Sequence, residues 1–160
     1  MKRILVLGLG NEILSDDGIA PRLIKDLSKL FPGGDIDFST QCCGGLDILE
    51  RIDGYRRVIL IDAIKTSGGN PGDVFVFKPE DFRETSNLSN LHDINFITAL
   101  SLGKTLRLNL PPEINIIAVK IVEDMEFSTD LTPEIKKIYP EILSKAERIV
   151  KLLSEKPSSG

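Results

Sequence analysis

Short apolar runs alternate with amphipathic stretches along this chain, and the two periods predict alternating strands and helices. The continuous apolar run at residues 4–7 places a first strand over 3–7. Ile19, Leu23, Leu27 and Leu30 fall on one helical stripe, so a helix is predicted over 17–30, with Asp16 or Asp17 as its cap and Pro21 tolerated in its first turn. Phe31-Pro32-Gly33-Gly34 ends it. A second strand at 35–40 and a short helix at 46–52 follow, separated by Gly44-Gly45. Residues 57–62, Arg-Val-Ile-Leu-Ile-Asp, read as a strand covered on both faces. A Gly/Asn/Pro turn at 67–72 precedes an alternating fourth strand at 73–78, suited to a sheet edge and open to antiparallel pairing. Residues 79–91 read as a polar surface loop, 92–106 as a helix and 114–122 as a fifth strand. The last helix is predicted over 132–153, interrupted or bent near Pro140, before a disordered tail at 155–160. This order describes a three-layer α/β domain: an open, mostly parallel twisted sheet of about five strands with helices on both faces.

With 160 residues the chain suits one domain, spanning 1–154, that buries its own core. No internal repeat or linker divides it. The net charge of −4 argues against a nucleic-acid partner. No run of 18 apolar residues is present, which argues against a membrane span. Met1-Lys2-Arg3 followed by apolar residues imitates a signal peptide, but Asn11, Glu12 and Asp16 interrupt the apolar stretch. A cytoplasmic location and a monomer are the expectations, the latter because no apolar surface stripe stands out. The adjacent Cys42 and Cys43 lack the second pair that a zinc site needs and suit small apolar fillers at a strand end.

The first strand runs into Gly8-Leu9-Gly10-Asn11-Glu12-Ile13-Leu14-Ser15-Asp16-Asp17-Gly18. The paired glycines permit a tight turn with close backbone approach, as in a dinucleotide fold. Ile13 occupies the place of that fingerprint's third glycine, and Asp16 and Asp17 repel a phosphate while attracting a cation. A nucleotide-binding Rossmann protein is therefore the weaker reading.

Sites in open α/β sheets collect beyond the carboxyl ends of the strands. Asp17 follows the first strand, Asp62 closes the third, and His92, the only histidine, opens a helix. Two carboxylates and an imidazole suit a metal site with open positions. Each residue also has a plainer role: Asp17 as a helix cap, Asp62 as acceptor for a turn, His92 as a solvent-exposed helix start. Asp17 and Asp62 also fit an aspartic dyad sharing a proton. No Gly-x-Ser-x-Gly elbow or P-loop occurs, and nothing marks either cysteine as activated.

These motifs resemble those of the hydrogenase maturation proteases. The resemblance rests on Gly8-Leu9-Gly10-Asn11, Asp16-Asp17-Gly18, Gly44-Gly45-Leu46, Val58-Ile59-Leu60-Ile61-Asp62-Ala63 and Leu91-His92-Asp93. It extends to Leu110-Pro111-Pro112-Glu113 and to Leu131-Thr132-Pro133-Glu134. It implies an aspartyl-type endopeptidase that trims the C-terminus of a nickel–iron hydrogenase large-subunit precursor. It also implies Asp17, Asp62 and His92 as ligands to nickel brought by that precursor, with cadmium or zinc as stand-ins in a crystal. Some members carry Glu where this chain has the shorter Asp17. On this resemblance Asp17 and Asp62 are catalytic, and Asp16 is an orienting group or base. A non-catalytic nickel carrier or scaffold of the same fold is the remaining alternative.

Overall fold

The computed structural model describes residues 2–42, 46–83 and 91–157, with the side chains of residues 2, 3, 82, 83 and 91–95 outside that description. Strand β1 (Lys2–Leu9) leads through a 3-10 turn (Ser15–Gly18) into helix α1 (Ile19–Leu30). Strand β2 (Ile36–Gln41), helix α2 (Asp47–Ile52) and strand β3 (Tyr55–Ile64) follow. Strand β4 (Val74–Phe77), a 3-10 turn (Pro79–Arg83), helix α3 (Leu91–Thr105), strand β5 (Glu113–Lys120) and helix α4 (Pro133–Glu155) complete the order.

The sheet order is β2-β1-β3-β5-β4, with β4 antiparallel at the edge and the other strands parallel. Strand alternation divides the core into two layers. Val6, Ile59, Ile61, Ile117 and Val119 meet α1 and α4 on one face. Leu5, Leu7, Leu60 and Ile116 meet α2 and α3 on the other. Each of the fully buried Leu and Ile side chains contributes roughly 1.5–3 kcal/mol relative to exposure. The expected three-layer α/β architecture is therefore the one observed.

Three local expectations are revised. Neither Asp16 nor Asp17 caps α1; Gly18 takes that position without a side-chain cap bond, because the carboxylates are engaged elsewhere. Helix α4 runs through Pro140 without interruption. Pro140 has no amide to donate to the carbonyl of Lys136, and both residues are exposed, so that carbonyl is within reach of solvent. Glu155, expected in the tail, closes α4, and the carbonyl of Lys156 accepts from Arg57 at 3.0 Å. Residues 158–160 lie outside the described residues.

Arg57 explains that anchorage. Its buried guanidinium donates to Glu113 and to the carbonyls of Leu153 and Lys156, joining β3, β5 and the end of α4. The last carbonyls of a helix have no partner within the helix, and here an arginine supplies one.

Candidate functional site

The chain leaves β1 to one side for β2 and returns on the other side for β3, so the strand order reverses between β1 and β3. Ligands in open α/β sheets bind beyond the carboxyl ends of the strands at such a reversal. The Gly8–Asp17 segment emerges there from β1. Asp62 lies at the same level in β3, in register with Leu9 on one side and Ala118 on the other.

Gly8 and Gly10 act by being small. Neither adopts a positive φ. A Cβ on Gly8 would lie 2.6 Å from Ile24 Cγ1 and 3.1 Å from the carbonyl oxygen of Ala20, so α1 crosses directly over the strand. A Cβ on Gly10 would lie 2.2 Å from the carbonyl oxygen of Asp17. The glycine pair thus seats α1 and the Asp17 backbone against the end of β1, which differs from the pyrophosphate cradle of a dinucleotide fold.

Asn11 shapes the loop from within. Its side-chain oxygen accepts from the Ile13 amide at 3.1 Å, while its own amide donates to Asp17 Oδ2 at 2.8 Å. Ser15 adopts φ 52°, a left-handed conformation that costs a residue with a Cβ about 1–2 kcal/mol. The cost is borne by ladder-like bonds on both sides, Ser15 N to Ser128 O at 2.9 Å and Ser128 N to Ile13 O at 3.0 Å. Strain of this kind commonly marks functional turns.

The three aspartates are almost wholly enclosed: Asp16 is 0 %, Asp17 2 % and Asp62 1 % exposed. Their settings differ. Asp16 accepts from the amides of Val122 and Glu123 at 3.1 Å each and from the amide of Thr132 at 2.8 Å. It also accepts from the Thr132 hydroxyl at 2.9 Å. That set occupies both oxygens and ties the first loop to the β5–α4 connection. Thr132 is the N-cap residue of α4, yet its hydroxyl serves Asp16 rather than its own helix. Asp62 lies two residues before the end of β3, and the 3-10 turn carrying Asp17 folds back against Gly10, just past β1, and packs against β3. Strand alternation puts Asp62 on the face shared with Val58 and Leu60, beneath α2 and α3, and both its oxygens are buried. A buried carboxylate must be hydrogen-bonded, paired or bound to a cation.

His92 is the second residue of α3. Helix α3 feeds the start of β5, so it runs against the strands and opens at their carboxyl edge, the edge of Asp17 and Asp62. Its side chain lies outside the described residues. Among the described residues no three His, Cys, Asp or Glu side chains form a group that could hold a metal ion.

Cys42 is exposed rather than a buried filler, and Cys43 lies outside the described residues. A cavity of about 600 Å³ opens at the opposite, amino-terminal end of β5, between Lys78, Lys104, Pro112 and Lys156. No candidate catalytic residue lines it. The partners of Asp16 were not apparent beforehand. The one signal was Thr132-Pro133, a helix start whose hydroxyl needs an acceptor.

Residues 36–149 match the family HycI, hydrogenase maturation protease. The hydrogenase 2 maturation protease of Escherichia coli strain K12 is 27% identical over 138 residues, 84% of this chain and 82% of that protein. The hydrogenase expression/formation protein HupD of Rhizobium leguminosarum bv. viciae is 25% identical over 155 residues, 93% of this chain and 74% of that protein. The solved structure of the [NiFe] hydrogenase maturation protease HybD from Thermococcus kodakarensis superposes with a TM-score of 0.72 at 26% identity, covering 96% of this chain and 99% of that one. The chain belongs to the hydrogenase maturation protease family and is a hydrolase of the peptidase kind.

Proposed function

We propose that this protein removes the C-terminal extension of a nickel–iron hydrogenase large-subunit precursor after nickel has been inserted. Nickel in this reading is part of the substrate, and Asp17, Asp62 and His92 recognise it. The carrying observation is the pair of enclosed carboxylates, Asp62 near the carboxyl end of β3 and Asp17 on the turn packed against that strand, in a maturation protease fold. Hard carboxylates and an imidazole together suit a borderline divalent ion with positions left for its own ligands.

Nickel held there polarises a carbonyl or lowers the pKa of a bound water. The chain's own residues position the bond. The Asn11 amide orients the Asp17 carboxylate. Asp62 is held rigidly between Leu9 and Ala118 in the sheet. Asp16, with its oxygens occupied by amides and a hydroxyl, is better suited to fixing the turn than to moving a proton. Recognition through substrate nickel makes the step a checkpoint: a precursor without nickel is not trimmed. This reading places the step in the cytoplasm. Among the described residues no helix is long and apolar enough to cross a membrane.

The test is the mass of purified nickel-loaded precursor after incubation with wild type or with Asp17→Ala, Asp62→Ala or His92→Ala. Wild type shortens the loaded precursor and leaves the nickel-free one intact, and each variant leaves both intact. Normal trimming by all three variants would overturn the assignment.

A further inference from the structure

The β5–α4 connection carries the most exposed large apolar side chains among the described residues, Phe127 at 81 % and Met125 at 78 %. Ile13, on the loop that bears Asp17, adds a third. The expectation that no apolar surface stands out fails here. Isolated exposed apolar residues are common, but a cluster of them beside a candidate site marks an interaction surface.

The segment is fastened rather than loose. Asp16 holds the amides of Val122, Glu123 and Thr132. The Glu123 side chain accepts the amides of Asp124 and Met125, Lys65 pairs with Asp124 at 2.7 Å, and Arg22 donates to the Thr129 carbonyl. Ser128 pairs through its backbone with Ile13 and Ser15. Phe127 and Met125 are therefore presented on a backbone already ordered, which lowers the entropy cost of binding.

The charge of the surface is one-sided. Residues 11–18 and 122–130 include Glu12, Glu123, Asp124, Glu126 and Asp130 and no Lys or Arg. Among the described residues, the cations bonded to the segment, Lys65 and Arg22, are engaged by Asp124 and by the Thr129 carbonyl.

We infer that Phe127, Met125 and Ile13 form a docking surface for the substrate polypeptide, and that the docked segment pairs apolar side chains with Lys or Arg. This rests on the proposed function for the identity of the substrate. Continuity places the surface: Asp16 ties this segment to the very turn that carries Asp17. Apolar anchors supply affinity, and the acidic rim selects a basic segment and speeds encounter.

The experiment measures Kd for the nickel-loaded precursor by biolayer interferometry, and KM and kcat for trimming. The proteins are wild type, the double variant Met125→Ser/Phe127→Ser, and Glu126→Lys. Thermal melting checks the fold, which changes at these exposed positions leave intact. The double variant is expected to bind roughly tenfold or more weakly, with KM raised and kcat at saturation unchanged. Glu126→Lys weakens binding by a smaller factor and flattens its salt dependence. Unchanged Kd and KM in the double variant overturn the docking surface and leave the proposed function standing. Loss of a wild-type dimer in light scattering, with precursor affinity unchanged, overturns it in favour of self-association. Tight binding that the double variant loses, without trimming by wild type, keeps the surface and refutes the function. No binding by wild type refutes both.

Discussion

The carboxylate of Asp16 accepts hydrogen bonds from both the amide and the hydroxyl of Thr132, 116 positions later in the chain. A side chain from the first loop thus sets the start of the last helix. The same carboxylate takes the amides of Val122 and Glu123, so four donors converge on one buried group. Asp17, one residue on, has a different surrounding and a different expected sensitivity.

Replacing Asp16 by Ala leaves three backbone amides without their acceptor in an enclosed place. The expected cost is roughly 2–4 kcal/mol, seen as a Tm lower by about 5–15 °C. Asp16→Asn keeps one acceptor oxygen and lies between. Asp17→Asn keeps an oxygen for the Asn11 amide while removing the charge, so it melts near wild type but does not trim the precursor. A melt and a mass measurement on the same samples separate the two roles. Equal Tm for Asp16→Ala and wild type would refute the structural role of Asp16.

Gly10→Ala places a methyl against the Asp17 carbonyl, which is backbone and cannot rotate away. We expect a loss of about 2 kcal/mol or more together with reduced trimming, because the Asp17 turn must shift. Gly8→Ala meets Cγ1 of the buried, β-branched Ile24 at 2.6 Å and the Ala20 carbonyl oxygen at 3.1 Å, both farther off than the 2.2 Å between a Cβ on Gly10 and the Asp17 oxygen. Its cost is the smaller of the two, and its effect on trimming is weaker. Urea midpoints and trimming rates of both variants test that order.

Most of the fold was legible because its period is clean. Strand β3, with its uninterrupted apolar run, and the striped helix α1 follow from side-chain spacing alone. Asp62 stood out because an acidic residue ending such a strand requires a reason. The roles of Asp16 and Asp17 in capping were misjudged for a physical reason. Cap preference is a local property, and here donors from residues 122–132, distant in sequence, compete for the carboxylate of Asp16. Of the two alternatives at Pro140, an interruption or a bend, the interruption does not occur: a proline is tolerated where the carbonyl it leaves without a donor lies at an exposed position. The apolar surface at Phe127 was invisible because nothing in residues 122–130 says which of them face solvent.

Arg57→Met tests the anchoring of the carboxyl-terminal helix. The substitution keeps the apolar stem but removes donors from Glu113 and from the carbonyls of Leu153 and Lys156. A destabilisation of roughly 2–4 kcal/mol is expected, since Glu113 loses its ion-pair partner and two helix-end carbonyls lose a donor. Hydrogen exchange should quicken in the last turn of α4 before it changes in β1. Uniform exchange behaviour across the chain would contradict a local anchor.

The two tyrosines give an alkaline readout, undisturbed because the chain has no Trp. Burial, and then the hydrogen bond to Asp37, push Tyr55 from 10.0 up to about 12. Burial and the bond to Asp26 raise Tyr139 as well. Both hydroxyls therefore hold their protons more tightly folded than unfolded. Their contribution to stability is fully present below pH 10, where both states are protonated, and is lost as pH rises through the raised folded values. Tyrosinate absorbance of the native protein should thus stay flat through pH 10 and rise only toward 12, together with loss of far-ultraviolet ellipticity. Tyr55→Phe should shift the onset of unfolding to higher pH, because one of the two protons pulled off in the unfolded chain is gone. A tyrosinate signal developing at pH 10 with ellipticity intact would show that the hydroxyls are not held by Asp37 and Asp26.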